Sequence, residues 1–272
     1  MSLPSCGGQV DVARAMPCEA SASALLAEWL SSSWQACSLF LDVDGTLLDI
    51  AETPDAVRVP PELLAALATL QRRLGGALAL VSGRSLDSLD ALFAPLRLAA
   101  SGGHGAQWRQ LADEAPRHAS NALDAALRER LAVLAQRHPG VLAEDKGSSF
   151  ALHYRAVPEV APALAAALDE LLAGPLGRGL RLLPGKMVFE VIGRGCDKGL
   201  AIRRFLAAPP FRGRWPLFIG DDVTDEAALA VVAELGGLGL SVGRALPGAR
   251  AVFADAAALR AALVEAAGGL AR

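Results

Sequence analysis

Aromatic side chains are scarce: phenylalanine, tryptophan and tyrosine make up 5% of the 272 residues, and there is a single tyrosine. The apolar content of 53% is carried instead by alanine and leucine, a balance that favours helices packed on a sheet. Cysteine is also thin. Cys6, Cys18, Cys37 and Cys196 are scattered, with neither a disulfide-framework spacing nor a metal-ligand pairing. Reduced thiols in a cytoplasmic protein are the expectation. No long basic run is present and the formal net charge is −3, so a nucleic-acid partner held through its phosphates is not expected. A small phosphorylated substrate needs only local positive charge and stays open. Charges and Gly-Pro punctuation interrupt every apolar stretch, so no membrane span is expected. The first 20 residues carry neither a basic leader nor a continuous apolar segment, and no signal peptide is read there. The length suits one large or two modest domains with a substantial core.

What is present is organised around Leu39-Phe40-Leu41-Asp42-Val43-Asp44-Gly45-Thr46-Leu47. Three consecutive apolar residues before Asp42 suit a central parallel strand covered on both faces. Gly45 permits the turn that ends it. Asp42 and Asp44 fall on one side of an extended segment, because side chains alternate with period two. Two carboxylates held this close repel unless one is protonated or a cation lies between them. Strand ends with two solvated aspartates capping a turn are the plainer reading of a bare Asp-x-Asp. The apolar strand and the Gly-Thr turn narrow it.

The rest of the chain reads as alternating strands and helices. Residues up to about 37 form an ill-defined lead with a helix over 22–30, broken at Ser31-Ser32-Ser33. Pro60-Pro61-Glu62 opens a helix whose apolar face is Leu63, Leu67, Leu70 and Leu74, stopped by Gly75-Gly76. A buried strand over 77–81 ends in Ser82-Gly83-Arg84. A helix over 86–93 follows, then a short strand and the turn Gly102-Gly103-His104-Gly105. Strand and helix alternating with short joins predicts a parallel α/β sheet, whose ligand crevice lies at the carboxyl ends of the strands. Asp42, Asp44 and Ser82 all sit at such ends.

The texture changes over 107–184. A helical pattern over 121–137, strand-like runs over 141–146 and 149–155, and a helix from Pro158 to about 173 suggest a small α+β insert. A strand over 186–192 follows, after which the parallel pattern resumes: a helix over 198–206, a strand over 215–220 ending in Asp221-Asp222, a strand over 238–242 and a closing helix over 256–267. The expected division is a core of 38–106 and 185–272 around an inserted cap of 107–184.

Carboxylates recur at the second strand end, Asp221 and Asp222, with Asp225 one turn on. Several carboxylates converging on one rim suit a hard cation such as Mg²⁺. An acidic helix start is the alternative for this segment, and the two weigh about evenly. Lys198 opens a helix against the dipole, so the helix itself does not call for it. Beside a carboxylate cluster it is placed to hold a phosphoryl oxygen, although a surface lysine is the commoner case.

Asp42-Val-Asp-Gly-Thr, Ser82, Lys198 and Gly220-Asp221-Asp222-Val-Thr-Asp225 resemble, in order and spacing, the four motifs of the haloacid dehalogenase superfamily of phosphotransferases. The resemblance spans residue 39 to the end and implies a Rossmann-like parallel-sheet core with an inserted α+β cap. Val81-Ser-Gly-Arg84, Gly103-His-Gly-Ala106, Ala151-Leu-His-Tyr-Arg155 and Gly185-Lys-Met-Val-Phe-Glu190 extend it to the trehalose-6-phosphate phosphatases. Two positions depart from that pattern: Gln107 stands where glutamate is frequent and Gly193 where proline is common.

The resemblance implies Mg²⁺-dependent hydrolysis of trehalose 6-phosphate through an aspartyl phosphate. Asp42 is then the nucleophile and Asp44 the proton carrier, while Ser82 and Lys198 hold phosphoryl oxygens. Asp42, the Asp44 carbonyl and Asp221 hold the metal, with Asp222 and Asp225 behind them. Gly83, Arg84, His104, Gly105, Glu144, Lys146, Arg155 and Glu190 are the implied substrate contacts. For the cap residues, cross-strand charge pairs on an exposed sheet are an equal alternative. His104 and His153 have no zinc-type partner, and His153 reads equally as half-buried in a strand. The expected partner is a small-molecule sugar phosphate met by a cytoplasmic monomer, without nucleic acid or membrane. Two other functions stay open: a capped phosphatase of another sugar phosphate, such as sucrose phosphate or mannosyl-phosphoglycerate, and a catalytically silent regulatory module on the same fold.

Overall fold

The structure, a computed structural model, describes residues 21–32, 35–50, 57–118 and 123–268. The first 20 residues of the lead, with Cys6 and Cys18, and the expected helix start at Asn121 lie outside the described residues. The chain opens with α1 (Ala22–Ser32) and then enters β1 (Cys37–Leu41), every residue of which is buried. Next come α2 (Pro61–Arg73), β2 (Leu78–Val81), α3 (Leu86–Phe93), β3 (Ala99–Gly102), β4 (Gln107–Arg109) and β5 (Arg117–His118). The middle holds α4 (Ala125–Gln136), β6 (Leu142–Asp145), β7 (Phe150–His153), α5 (Ala161–Ala173), β8 (Leu180–Gly185) and β9 (Val188–Gly193). The chain closes with α6 (Lys198–Leu206), β10 (Trp215–Gly220), α7 (Glu226–Glu234), β11 (Leu238–Val242), β12 (Ala251–Phe253) and α8 (Ala256–Gly268).

Local chemistry accounts for the boundaries. In α2, Pro61 occupies the first turn with Glu62, and Arg72 and Arg73 lie in the last, each suited to its end of the helix dipole. Leu63, Leu67, Leu70 and Leu74 are fully buried, each contributing roughly 2 kcal/mol of hydrophobic stabilisation. The helix stops where Gly75 and Gly76 take φ of 57° and 87°, and the Gly76 amide donates back to the Gln71 carbonyl at 2.8 Å.

One sheet has the order β12-β11-β10-β1-β2-β3-β4-β5, parallel from β12 to β3. From β1 the chain works outward through β2 and β3, then returns to β10 on the other side. The order therefore reverses between β1 and β10, and the crevice at their carboxyl ends is the switch point where such sheets bind ligands. Three of the scarce aromatics lie beneath it. Phe40 lies 5.8 Å from Phe205 and 5.3 Å from Phe211, all three buried, which ties the strand before Asp42 to the helix that begins with Lys198.

The second sheet, β6-β7-β9-β8, is antiparallel throughout. Alternation divides its faces. Phe150, Leu152 and Val191 bury against Leu127 and Leu131 of α4 and Leu164 and Leu168 of α5. The opposite face carries Glu144, Ala151 and Glu190 in one cross-strand row. Sheet membership moves the expected division. β4 and β5 pair antiparallel onto β3, so the core extends through residue 118. β9 pairs with β7 and β8, so the insert reaches Gly193. Composition changes at 107 and again near 185, but the long-range pairing that sets the domain edges lies elsewhere.

Candidate active site

Asp42 is the first residue beyond β1, and its amide still donates to the Ile219 carbonyl at 3.0 Å, so the sheet aims its buried side chain. Lys198 Nζ donates to Asp42 Oδ1 at 2.7 Å and to Asp225 Oδ1 at 2.6 Å. The helix dipole does not favour that lysine, but two carboxylates do. Asp225 Oδ2 in turn accepts the amides of Asp221 and Asp222, each at 2.9 Å. Asp225 is thus the buried post that holds both the lysine and the turn after β10.

Thr46 Oγ1 lies 3.0 Å from both Asp42 Oδ2 and Asp221 Oδ1. A hydroxyl has one proton, so it donates to one of these carboxylates at a time. Glycine at 45 is required on two counts. Its φ is 87°, and a Cβ there would lie 2.1 Å from Asp221 Oδ2. Only a residue without a side chain lets the two strand ends close on each other.

Asp42, Asp221 and Asp225 each offer an oxygen within 4.8 Å of the others. With one ammonium among three carboxylates, two negative charges are left uncompensated. Burial pushes the Asp42 carboxyl well above the usual range, and Asp225 and Asp221 add to it against the pull of Lys198. Asp221 is raised by burial and by Asp225. Burial works against the charge of Lys198, but Asp225 and Asp42 outweigh it and hold the ammonium above its ordinary range. An all-oxygen, charge-excess donor set of this kind fits a hard divalent cation.

The Asp44 carboxylate is not part of that cluster. It turns to Arg84, which grips it with Nε at 2.7 Å and a second nitrogen at 2.7 Å. Ser82, buried at the end of β2, accepts the Arg84 amide at 3.2 Å. Asp222 pairs with Arg244 at 2.7 Å and caps the short turn Val223–Asp225.

The insert covers this rim at two places. Near Ser82, Lys146 Nζ donates to the Gly83 carbonyl at 3.2 Å and lies 3.4 Å from both Glu190 oxygens. Ser149 donates to Glu190 at 2.5 Å, and His104 Nε2 lies 3.3 Å from it. A Cβ on Gly83 would stand 2.4 Å from His104 Nε2, so this glycine opens the lane through which His104 reaches the insert. Burial alone would raise the Glu190 carboxyl, but Lys146, His104 and Ser149 hold it well below the usual range. Glu144 accepts from His153 at 2.9 Å and is lowered chiefly by that bond, with Lys146 adding 3.9 Å away. Arg155 is exposed in the turn after β7, at the end of that strand opposite Lys146. There the tip of the β8–β9 hairpin, including Lys186, forms one wall of a cleft of about 790 Å³ whose other wall carries Asp221 and Asp222.

Sequence reasoning did not single out Thr46 or Ser149. Thr46 was within reach, four residues after Asp42 in the same turn. Ser149 was not, because its partner Glu190 is 41 residues away.

Comparison with known proteins gives the family of the chain. The sequence profile of the trehalose-phosphatase family matches residues 40–255. A probable trehalose-phosphate phosphatase of Sinorhizobium fredii is 44% identical over 225 residues, covering 82% of this chain and 84% of the relative. The trehalose-6-phosphate phosphatase of Escherichia coli is 41% identical over 207 residues, 75% of this chain and 76% of its own. In fold, the C-terminal domain of the C. albicans trehalose-6-phosphate phosphatase superposes with a TM-score of 0.80 at 21% identity, over 92% of this chain and 97% of that one. The chain belongs to the trehalose-phosphatase family.

Proposed function

We propose that the chain is an Mg²⁺-dependent phosphatase that hydrolyses trehalose 6-phosphate to trehalose and phosphate through an aspartyl phosphate. The observation that carries this reading is the buried Asp42 carboxylate, clamped by Lys198 and Thr46 and facing Asp221 at the switch point of the sheet. In the first step an Asp42 oxygen bonds to phosphorus while the bond from phosphorus to the sugar oxygen breaks. A sugar alkoxide leaves poorly, so Asp44 delivers a proton to that oxygen. In the second step Asp44 takes a proton from water as the water oxygen bonds to phosphorus and the Asp42–phosphorus bond breaks. Ser82 and Lys198 hold the phosphoryl oxygens as charge spreads over them.

The Asp42 carboxylate, the Asp44 carbonyl and Asp221 would hold the Mg²⁺, with Asp222 and Asp225 orienting the turn behind. When bound, the metal supplies Lewis-acid neutralisation of the phosphate's charge. Asp44 has to leave its bidentate contact with Arg84 to meet the leaving oxygen, so Arg84 rearranges as the sugar is seated. Lys146 and His104 Nε2 hold Glu190, and Glu144 is held by His153, while His104 Nδ1 is buried without a partner; sugar hydroxyls would replace part of that network, with Arg155 serving the lip. Closure of the insert would exclude water from the acyl phosphate.

Every group in this scheme comes from one chain, so a monomer suffices. The free thiols of Cys37 and Cys196 suit the cytoplasm. Among the described residues no helix is long and apolar enough to cross a membrane. Assembly of Asp42, Asp44, Ser82, Lys198 and Asp221 at one rim favours an enzyme over a silent module. Phosphate release across trehalose 6-phosphate, sucrose phosphate and mannosyl-phosphoglycerate, with and without Mg²⁺, tests the reading. It predicts preference for the first and dependence on the metal. Equal turnover of all three would overturn the substrate assignment.

A further inference from the structure

The turn that carries His104 is costly to hold. Gly103, His104 and Gly105 have φ of 55°, 51° and 101°, three successive residues in the left-handed region. For a histidine that conformation costs roughly 1 kcal/mol or more. Backbone bonds secure the front of the turn: the Gly103 amide donates to the Arg84 carbonyl at 2.8 Å and the His104 amide to the Ser82 carbonyl at 3.0 Å. The back rests on α6. A Cβ on Gly105 would lie 2.7 Å from the Asp197 carbonyl oxygen, so the turn is wedged against the first residues of that helix.

Arg204, on the same helix, donates from Nη1 to the Gly105 carbonyl at 3.1 Å. Its guanidinium stacks over the Trp108 ring, 4.1 Å from the centroid, and is half-buried. Trp108 follows the turn in β4, so one arginine clasps the turn at both its carbonyl and its exit strand. The helix that supplies this clasp begins with Lys198, which holds Asp42.

We propose that Arg204 is a positioning residue for substrate. It fixes the His104 turn to α6, so that the histidine on the sugar side and the lysine on the phosphate side keep a fixed separation. The proposal rests on the reading of His104 as a sugar contact. Arg204 touches neither substrate nor reacting atoms; it acts through the Gly105 carbonyl. Its loss frees the sugar-side turn and leaves the Lys198–Asp42–Asp225 clamp in place.

The test follows trehalose release with the full chain and Mg²⁺, comparing wild type with R204A, R204K, H104A and the R204A/H104A double variant. KM for trehalose 6-phosphate and the competitive Ki of orthophosphate, which has no sugar, are measured together with the melting temperature. For R204A the expectation is a KM raised about tenfold, with kcat and the orthophosphate Ki within about twofold of wild type. R204K, which keeps a cation over Trp108 but loses the planar fork, recovers part of the KM. The double variant is no worse than H104A, because both changes act through one turn. An unchanged KM in R204A, beside a raised KM in H104A, overturns the Arg204 assignment. So does an equal loss in KM and orthophosphate Ki, which would mark general support of the core. An unchanged KM in H104A overturns the sugar-contact reading itself, and this inference with it.

Discussion

On the proposed phosphate side, three carboxylates crowd one ammonium. On the proposed sugar side, Glu190 is surrounded by Lys146, His104 and Ser149. Both are buried, yet their carboxyls shift in opposite directions: Asp42 and Asp221 upward, Glu190 downward. The first arrangement is electrostatically incomplete and calls for added positive charge. In the second the carboxylate is already compensated, so a ligand has to open it with equivalent hydrogen bonds, and the buried, unpartnered His104 Nδ1 is left to pair. The two halves therefore differ in what should bind them, a cation in one case and a polyhydroxyl in the other.

The largest effects should come from breaking the phosphate side. Replacing Asp42 by asparagine removes the proposed nucleophile while keeping the shape, and phosphate release should fall by at least about 10³-fold. Gly45→Ala should come next. The added Cβ collides with Asp221 in a backbone conformation that alanine resists. A kcat loss of about 10²-fold is expected, with a raised Mg²⁺ concentration for half-maximal activity. Native-like Mg²⁺ dependence in this variant would remove Asp221 from the metal site. Mg²⁺ should also stabilise the folded chain by about 2–3 kcal/mol at a hundredfold excess over its dissociation constant. Thermal unfolding with and without a chelator reads this directly.

The sugar side should respond differently. Glu190→Gln leaves Lys146 without its main counter-charge and is expected to destabilise by about 1–3 kcal/mol at neutral pH. Because the folded-state pKa of Glu190 is depressed, its stabilisation is present above the unfolded value near 4.5 and is lost as pH falls below it. Melting temperatures of wild type and E190Q should thus converge as pH drops below that value. KM for the sugar phosphate should rise more than kcat falls. The smallest effect is expected for His153→Ala. Its pair with Glu144 is substantially exposed, so the stability change should stay within about 1 kcal/mol.

The same contrast explains what was legible in the sequence. The phosphate side is written in short local runs: an apolar strand, then Asp-x-Asp-Gly-Thr, or an apolar strand, then Gly-Asp-Asp. Continuous apolar runs place those strands, and β10 and α6 have the expected limits. Four motifs in order then identify the rim. The sugar side depends on which strands pair. β4 has only three residues, and β8 ends in Pro-Gly with no buried residue to mark a face, so neither strand announces its sheet before the pairing is known. Glu144 and Glu190 could be matched by family pattern, but their alignment through Ala151 in one row appears only after the strands are paired. Likewise, Asp44 was legible as an acid at a strand end, whereas its grip by Arg84, 40 residues away, was not.

The central claim is that Asp42, held by Lys198 and Thr46, takes the phosphoryl group. The direct measurement is an acid quench of the enzyme turning over trehalose 6-phosphate labelled in its phosphate, followed by peptide mapping. The account predicts label on the peptide that carries Asp42, chased by unlabelled substrate and lost in Asp42→Asn. Label on another residue, or unimpaired turnover in Asp42→Asn, would contradict it.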